Sequence, residues 1–131
     1  MSEQAIREAV VKFFDGFVTA FRSFSGEQIA ALYLVPNVSV SADGTVGCLQ
    51  TCQEVGSYFQ SVVDSCYGNG CRSCQYKDLD VVRIGSRSAL GTVTWELLRE
   101  DESVLKTWRE SYNLVLSSGG LKIFASTDHV E

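Results

Sequence analysis

The chain carries a single histidine, a single proline and no run of basic residues along its 131 positions. His129 is the one imidazole, so any imidazole-dependent step near neutral pH has to use it. With so little proline beside 45% hydrophobic and 11% aromatic residues, the composition excludes a low-complexity or disordered chain. Eleven Lys and Arg against sixteen Asp and Glu leave a net charge of −5. The basic footprint of a nucleic-acid binder is therefore missing, and no nucleic-acid partner is expected. Long apolar runs are missing too. The longest uncharged stretch, residues 28–42, is broken by Pro36, Asn37 and two serines and does not read as a bilayer-spanning helix. The first residues are acidic where a secretory signal is basic and then apolar, so the expectation is a cytoplasmic protein with no membrane partner. Five cysteines, an odd number, read as mostly free thiols in a reducing compartment. Neither linker nor internal repeat is visible, and residues 1–131 read as one domain able to bury roughly two-thirds of its unfolded surface without cross-links.

What is present is a change of hydrophobic period along the chain. Ile6, Val10, Phe13, Phe14, Phe17, Val18, Phe21 and Phe24 recur at three- and four-residue steps, predicting a long amphipathic helix capped by Ser2. Ser25 with Gln28 forms a capping box for a short second helix through Ile29, Ala30, Leu32 and Tyr33, which Pro36 ends. Val38, Val40 and Ala42 alternate with serines, and Asp43-Gly44 turns this strand into another around Val46 and Cys48. A second capping box, Thr51 with Glu54, opens a helix that Gly68-Asn69-Gly70 closes. From Ser73 onward the period is two, with strands over Tyr76 to Ile84, Ala89 to Leu98, Val104 to Leu116 and Leu121 to Val130. The connections between them are too short for crossover helices, so they form an antiparallel meander and the class is α+β.

This element order resembles the nuclear-transport-factor-2-like superfamily, which includes the snoaL-like polyketide cyclases and the ketosteroid isomerases. The pieces that carry the resemblance are the Phe-rich first helix, Asp43-Gly44 ahead of Val55-Gly56-Ser57-Tyr58-Phe59, and Gly119-Gly120-Leu121-Lys122-Ile123 leading to Asp128-His129. The match covers nearly the whole chain. It implies a cystatin-like, cone-shaped half-barrel, with three helices packed on a strongly curved, mainly antiparallel sheet. The open end of such a cone forms an apolar pocket, and the resemblance implies a homodimer packed through the sheet. The isomerase machinery carries over poorly. The first-helix positions that correspond to its oxyanion-hole tyrosine are Phe13 and Phe14, and Asp43, near its general base, reads as a turn residue.

The candidate pocket residues are Phe14, Phe17, Tyr33, Tyr58, Trp95, Trp108, Tyr112 and His129. Aromatics on a curved sheet suit a flat apolar ligand, and packing in the core or an interface is the competing role. His129 shares strand parity with Leu121, Ile123, Ala125 and Thr127, the core-facing side, and in snoaL-like relatives a histidine near the chain end commonly approaches the pocket. It is the favoured catalytic base, against a plainer place at a frayed end or hydrogen-bonded in the core. Asp128 falls on the opposite face of a regular strand. Glu110 shares parity with Trp108 and Tyr112, which sets a carboxylate among aromatics; the preferred reading is nevertheless a solvated charge.

Cys66, Cys71 and Cys74 reproduce the spacing of a plant-type two-iron cluster but lack its fourth ligand. Cys71 and Cys74 also suit a disulfide or half a zinc site, unless Ser73 already begins a strand. Cys52, in the first turn of a helix, is a candidate for an acidified thiol. Small apolar filler is the default for all five, and no metal or cofactor is expected. Three functions stand in order: a pocket for a small apolar molecule, a snoaL-like isomerase, cyclase or hydratase acting by proton transfer with Tyr112 or Tyr58 as donor, and a cysteine-based metal or redox site.

Overall fold

The apolar spacing of the first segment is realised as α1 (Glu3–Arg22), which buries Ile6, Val10, Phe13, Phe14, Phe17, Ala20 and Phe21 along one face. In the computed structural model, which describes residues 2–130, Ser2 Oγ caps α1 by accepting the Ala5 N–H at 3.1 Å. Glu3 and Arg22 then sit at the ends of the helix dipole that favour their charges. Both expected N-caps form. Ser25 accepts from Gln28 N–H at the start of α2 (Gly26–Ala30), and Thr51 accepts from Glu54 N–H at the start of α3 (Cys52–Gly68).

The second helix is shorter than its sequence pattern suggests. The chain leaves it at Ala31, and Tyr33–Val40 is β1, so Pro36 lies inside a strand instead of ending a helix. The reason lies in the pairing: β1 meets β6 at Tyr33↔Ile123 and again only from Val38↔Ala125. Pro36 falls in the gap, where its missing N–H forfeits no ladder bond. Asn37 bridges the same gap, its side-chain amide donating to Leu34 O at 3.2 Å and Ile123 O at 3.0 Å. Asp43-Gly44 makes the expected turn, with the Thr45 N–H held by Asp43 Oδ1 at 2.9 Å, and β2 (Val46–Leu49) returns antiparallel.

The four later strands, β3 (Ser73–Ile84), β4 (Ser88–Leu98), β5 (Val104–Ser117) and β6 (Gly120–Asp128), form the antiparallel meander. β1 joins it parallel to β6, giving one curved, unclosed six-stranded sheet in the order β2-β1-β6-β5-β4-β3. Three helices lie on its concave side. Phe14 is the central contact, its ring edge-on to Trp95 at 6.1 Å and to Tyr112 at 5.4 Å between centroids. It seats over Gly91, where a Cβ would stand 2.9 Å from Phe14 Cε2. No helix of the described residues is long and apolar enough to cross a membrane.

The other close approach joins α2 to α3. A Cβ on Gly26 would lie 2.3 Å from Gly56 O and 2.5 Å from Gln60 N, both backbone atoms that cannot rotate away. Gly16, inside α1, has nothing within 4 Å of the same position. Gly26→Ala is therefore expected to destabilise the fold by about 1–3 kcal/mol, and Gly16→Ala to stabilise it by roughly 0.5–1 kcal/mol, read from denaturant midpoints.

Candidate functional site: an aromatic cavity with a carboxyl pair

The concave face of the sheet, α3 and the β1–β2 hairpin enclose a cavity of about 1190 Å³. That is ample for a small organic molecule. Phe17, Tyr33, Phe59, Trp95, Trp108 and Tyr112 line it, with Tyr58 at its exposed side. The aromatic wall is continuous. Phe17 stacks obliquely on Trp95 at 5.1 Å, and Tyr33 and Phe59 meet at 4.8 Å, with Tyr58 edge-on to Phe59 at 5.0 Å. Phe14 does not reach the lining and belongs to the core behind Trp95 and Tyr112.

Polar groups gather where β5 and β6 pair. Strand alternation places Lys106, Trp108, Glu110 and Tyr112 on the cavity side of β5. On β6 the alternation is interrupted: Ile123 opposes Leu114 and Ala125 opposes Asn113, so Phe124 is an extra residue, a β-bulge. Leu121 and Ile123 point into the core before it, and Ser126 and Asp128 point into the cavity after it. The result sets Asp128 directly across from Glu110.

Three expectations are corrected, those for Asp128 and His129 by the bulge and that for Glu110 by the regular alternation of β5. Asp128 faces the cavity. Glu110 is a cavity group and not a solvated charge. His129 is carried to the outer face, where its Nε2 lies 2.7 Å from Ser111 Oγ, itself 2.8 Å from Thr92 Oγ1, and it does not line the cavity. Strand β6 ends at Asp128, short of the expected Val130.

Burial, and then the facing Asp128, push the Glu110 carboxyl up to about 8 from an ordinary 4.5, against the Trp108 indole N–H that donates to its Oε1 at 2.9 Å. Asp128 stands close enough to act on the Glu110 carboxyl both through its charge and through a hydrogen bond. Tyr112 completes a chain: its oxygen accepts the buried Trp95 N–H at 2.7 Å, which leaves its own hydrogen for Glu110. Burial raises the Tyr33 and Tyr112 phenols well above their usual range, with Glu110 adding to both, so they stay protonated as donors. Glu110 in its acid form is a proton donor at neutral pH, and in its ionised form a base, in a cavity walled by aromatic carbon.

The cysteines are free. β3 begins at Ser73, which separates Cys71 from Cys74, and Cys71 Sγ–H donates to Ser73 O at 3.3 Å. Cys66 and Cys74 line the cavity, and burial pushes the Cys74 thiol up to about 12 and raises those of Cys66 and Cys71. Among the described residues no group of three or more His, Cys, Asp or Glu side chains is placed to hold a metal ion. Cys48 and Cys52 are exposed.

The sequence matches the family described as NTF2-like protein (DUF6841) over residues 7–131, and the chain belongs to that family. None of the curated proteins matches it. Among solved structures it is similar to Aln2 from a Streptomyces species, with a TM-score of 0.77, 15% identity and coverage of 99% of this chain and 93% of that one. A Nostoc punctiforme domain of unknown function with a cystatin-like fold gives a TM-score of 0.75 at 19% identity, covering 99% and 80%. An NTF2-like protein from Streptomyces avermitilis, provisionally called a dehydratase, gives 0.74 at 15% identity, covering 99% of each chain. These likenesses show the cystatin-like, NTF2-like fold.

Because the folded chain binds the Glu110 proton more tightly than the unfolded chain, its contribution to stability is full below about pH 4.5 and is lost as pH rises through about 8. Glu110→Gln, which is neutral at every pH, should leave the melting temperature close to wild type at about pH 5 and raise it at about pH 9. Equal pH slopes for the two proteins in thermal melts would contradict a buried, proton-holding Glu110.

Proposed function

We propose that the chain binds a small, flat, largely apolar molecule in this cavity, with the polar end of that molecule against Glu110 and Asp128. The observation that carries the reading is the pairing of an aromatic-lined cavity of about 1190 Å³ with two carboxyls set opposite one another at one part of its wall. Apolar surface gives such a site its affinity, and a few convergent polar atoms orient the ligand. Nile red, a neutral polarity-sensitive dye, should brighten and shift to the blue on binding the native protein. Val62→Trp, which extends an indole from α3 into the cavity, should weaken that binding roughly ten-fold or more. A dye response unchanged in this variant would place the dye elsewhere and contradict the reading.

A second reading, proton transfer on an enolisable ligand, is supported by the carboxyl pair itself. Glu110 held near neutrality can take a proton from a carbon acid and return it, with Tyr33 as hydrogen-bond donor to a developing enolate. His129 has no part in this version, since it lies on the outer face. The protein should accelerate solvent-deuterium incorporation into 2-tetralone, followed by proton NMR. Glu110→Gln should fall to the background rate, and His129→Gln should keep the wild-type rate. Exchange at background in the wild type, or full activity in Glu110→Gln, would sink the proton-transfer reading.

A further inference from the structure

The polar end of the cavity is rich in acceptors and poor in cations. Glu110 and Asp128 offer four carboxyl oxygens, and the protein donors that reach them are the Trp108 indole N–H and the Tyr112 hydroxyl. Lys106, the one basic side chain in the lining, stands over the Trp108 ring at 5.3 Å and makes no ion pair with either carboxyl. Asn37 is 5% exposed and spends its side-chain N–H groups on the Leu34 and Ile123 carbonyls, so it turns only an oxygen to the cavity.

Two further hydroxyls open on the same cavity. Tyr33 is 9% exposed and Ser126 8%, both line the cavity, and neither hydroxyl has a protein partner among the described residues. Tyr33 lies within electrostatic reach of both Glu110 and Asp128, as does Tyr58. Among the described residues no fully buried side-chain polar atom lacks a partner, so both hydroxyls keep surface open to the cavity and are free to bond whatever enters it.

From this arrangement we infer that the polar end of the ligand is a cationic amine, its ammonium seated between Glu110 and Asp128 and facing the rings of Trp108, Tyr33 and Tyr58. The inference rests on the proposed binding function and narrows its ligand class. A carbonyl ligand could use only the one carboxylic hydrogen and the tyrosine hydroxyls and would leave the remaining carboxyl oxygens without donors, and a carboxylate ligand would bring a further negative group to a place that already holds a proton against charge repulsion. An ammonium brings three N–H donors and one positive charge to the oxygens, and aromatic faces add cation–π attraction. The charge balance is simple: the cation enters, Glu110 ionises, and its proton leaves to solvent.

The test compares tryptamine with two isosteres, tryptophol, which is neutral, and indole-3-propionate, which is anionic, by calorimetry on the full chain near pH 7. Phosphate and HEPES buffers differ in ionisation enthalpy and so report proton release. Tryptamine should bind roughly ten-fold or more tighter than tryptophol, with proton release on binding. Glu110→Gln should erase both the preference and the proton release, Asp128→Asn should weaken the preference, and His129→Gln should keep both. Circular-dichroism melts confirm that each variant is folded, and Tyr33→Phe gives a milder second probe of the same end, expected to weaken tryptamine more than tryptophol. Equal binding of amine and alcohol, or tighter binding of the acid, overturns the amine assignment. If Nile red binds while the amine shows no preference, the cavity stands and the amine assignment alone falls. If neither the dye nor any indole binds, both fall.

Discussion

Two carboxyl groups held opposite one another on neighbouring strands, inside an aromatic cavity, are the constraint on which the functional part of this molecule depends. Glu110 and Asp128 face each other only because β6 takes in Phe124 as a bulge between Ile123 and Ala125. Without that extra residue, alternation would send Asp128 to the outer face and His129 inward. A like-charged pair in a desolvated place is unfavourable when both members are ionised, and holding a proton relieves it. The raised affinity of Glu110 for its proton is thus a consequence of strand register.

The core and the site are one structure. Phe14 and Phe17 from α1 fix the rings of Trp95 and Tyr112, with Phe14 admitted close to β4 by Gly91. Trp95, 2% exposed, has its N–H satisfied by the Tyr112 oxygen, which fixes the direction of the Tyr112 hydrogen toward Glu110. Packing of a phenylalanine on the first helix therefore sets the orientation of a donor at the carboxyl pair. An aromatic core of this kind is rigid on the scale of a hydrogen bond, which is what a site that orients a ligand needs.

Much of the fold is legible in the residues. The α1 face, both expected N-caps, the Asp43-Gly44 turn and the meander all follow from local chemistry that tertiary packing reinforces. β1 is not legible, because Tyr33 and Leu32 continue a helical apolar pattern and Pro36 reads as a stop. Its place in a strand depends on a gap in the pairing with β6, which lies far away in sequence and leaves no local trace. The aromatic lining follows the same division. Phe17, Tyr33, Tyr58, Trp95, Trp108 and Tyr112 can be picked out as large rings on apolar faces, and they line the cavity, whereas Phe14 packs one layer behind. Asp128 and Ser126 escape notice because Phe124 carries no glycine or proline signature of a bulge, so strict alternation assigns His129 to the wrong side, and Asn37 escapes it with the rest of β1.

Everything at the site turns on the protonation of Glu110. Side-chain carboxyl ¹³C chemical shifts of the native protein, followed as a function of pH, report that carboxyl individually once Glu110→Gln has assigned its signal. The arrangement predicts a Glu110 resonance that titrates at about 8. A Glu110 resonance titrating near its ordinary 4.5 would mean that the carboxyl is solvated and unpaired, and would contradict both the register that places it opposite Asp128 and the site built upon it.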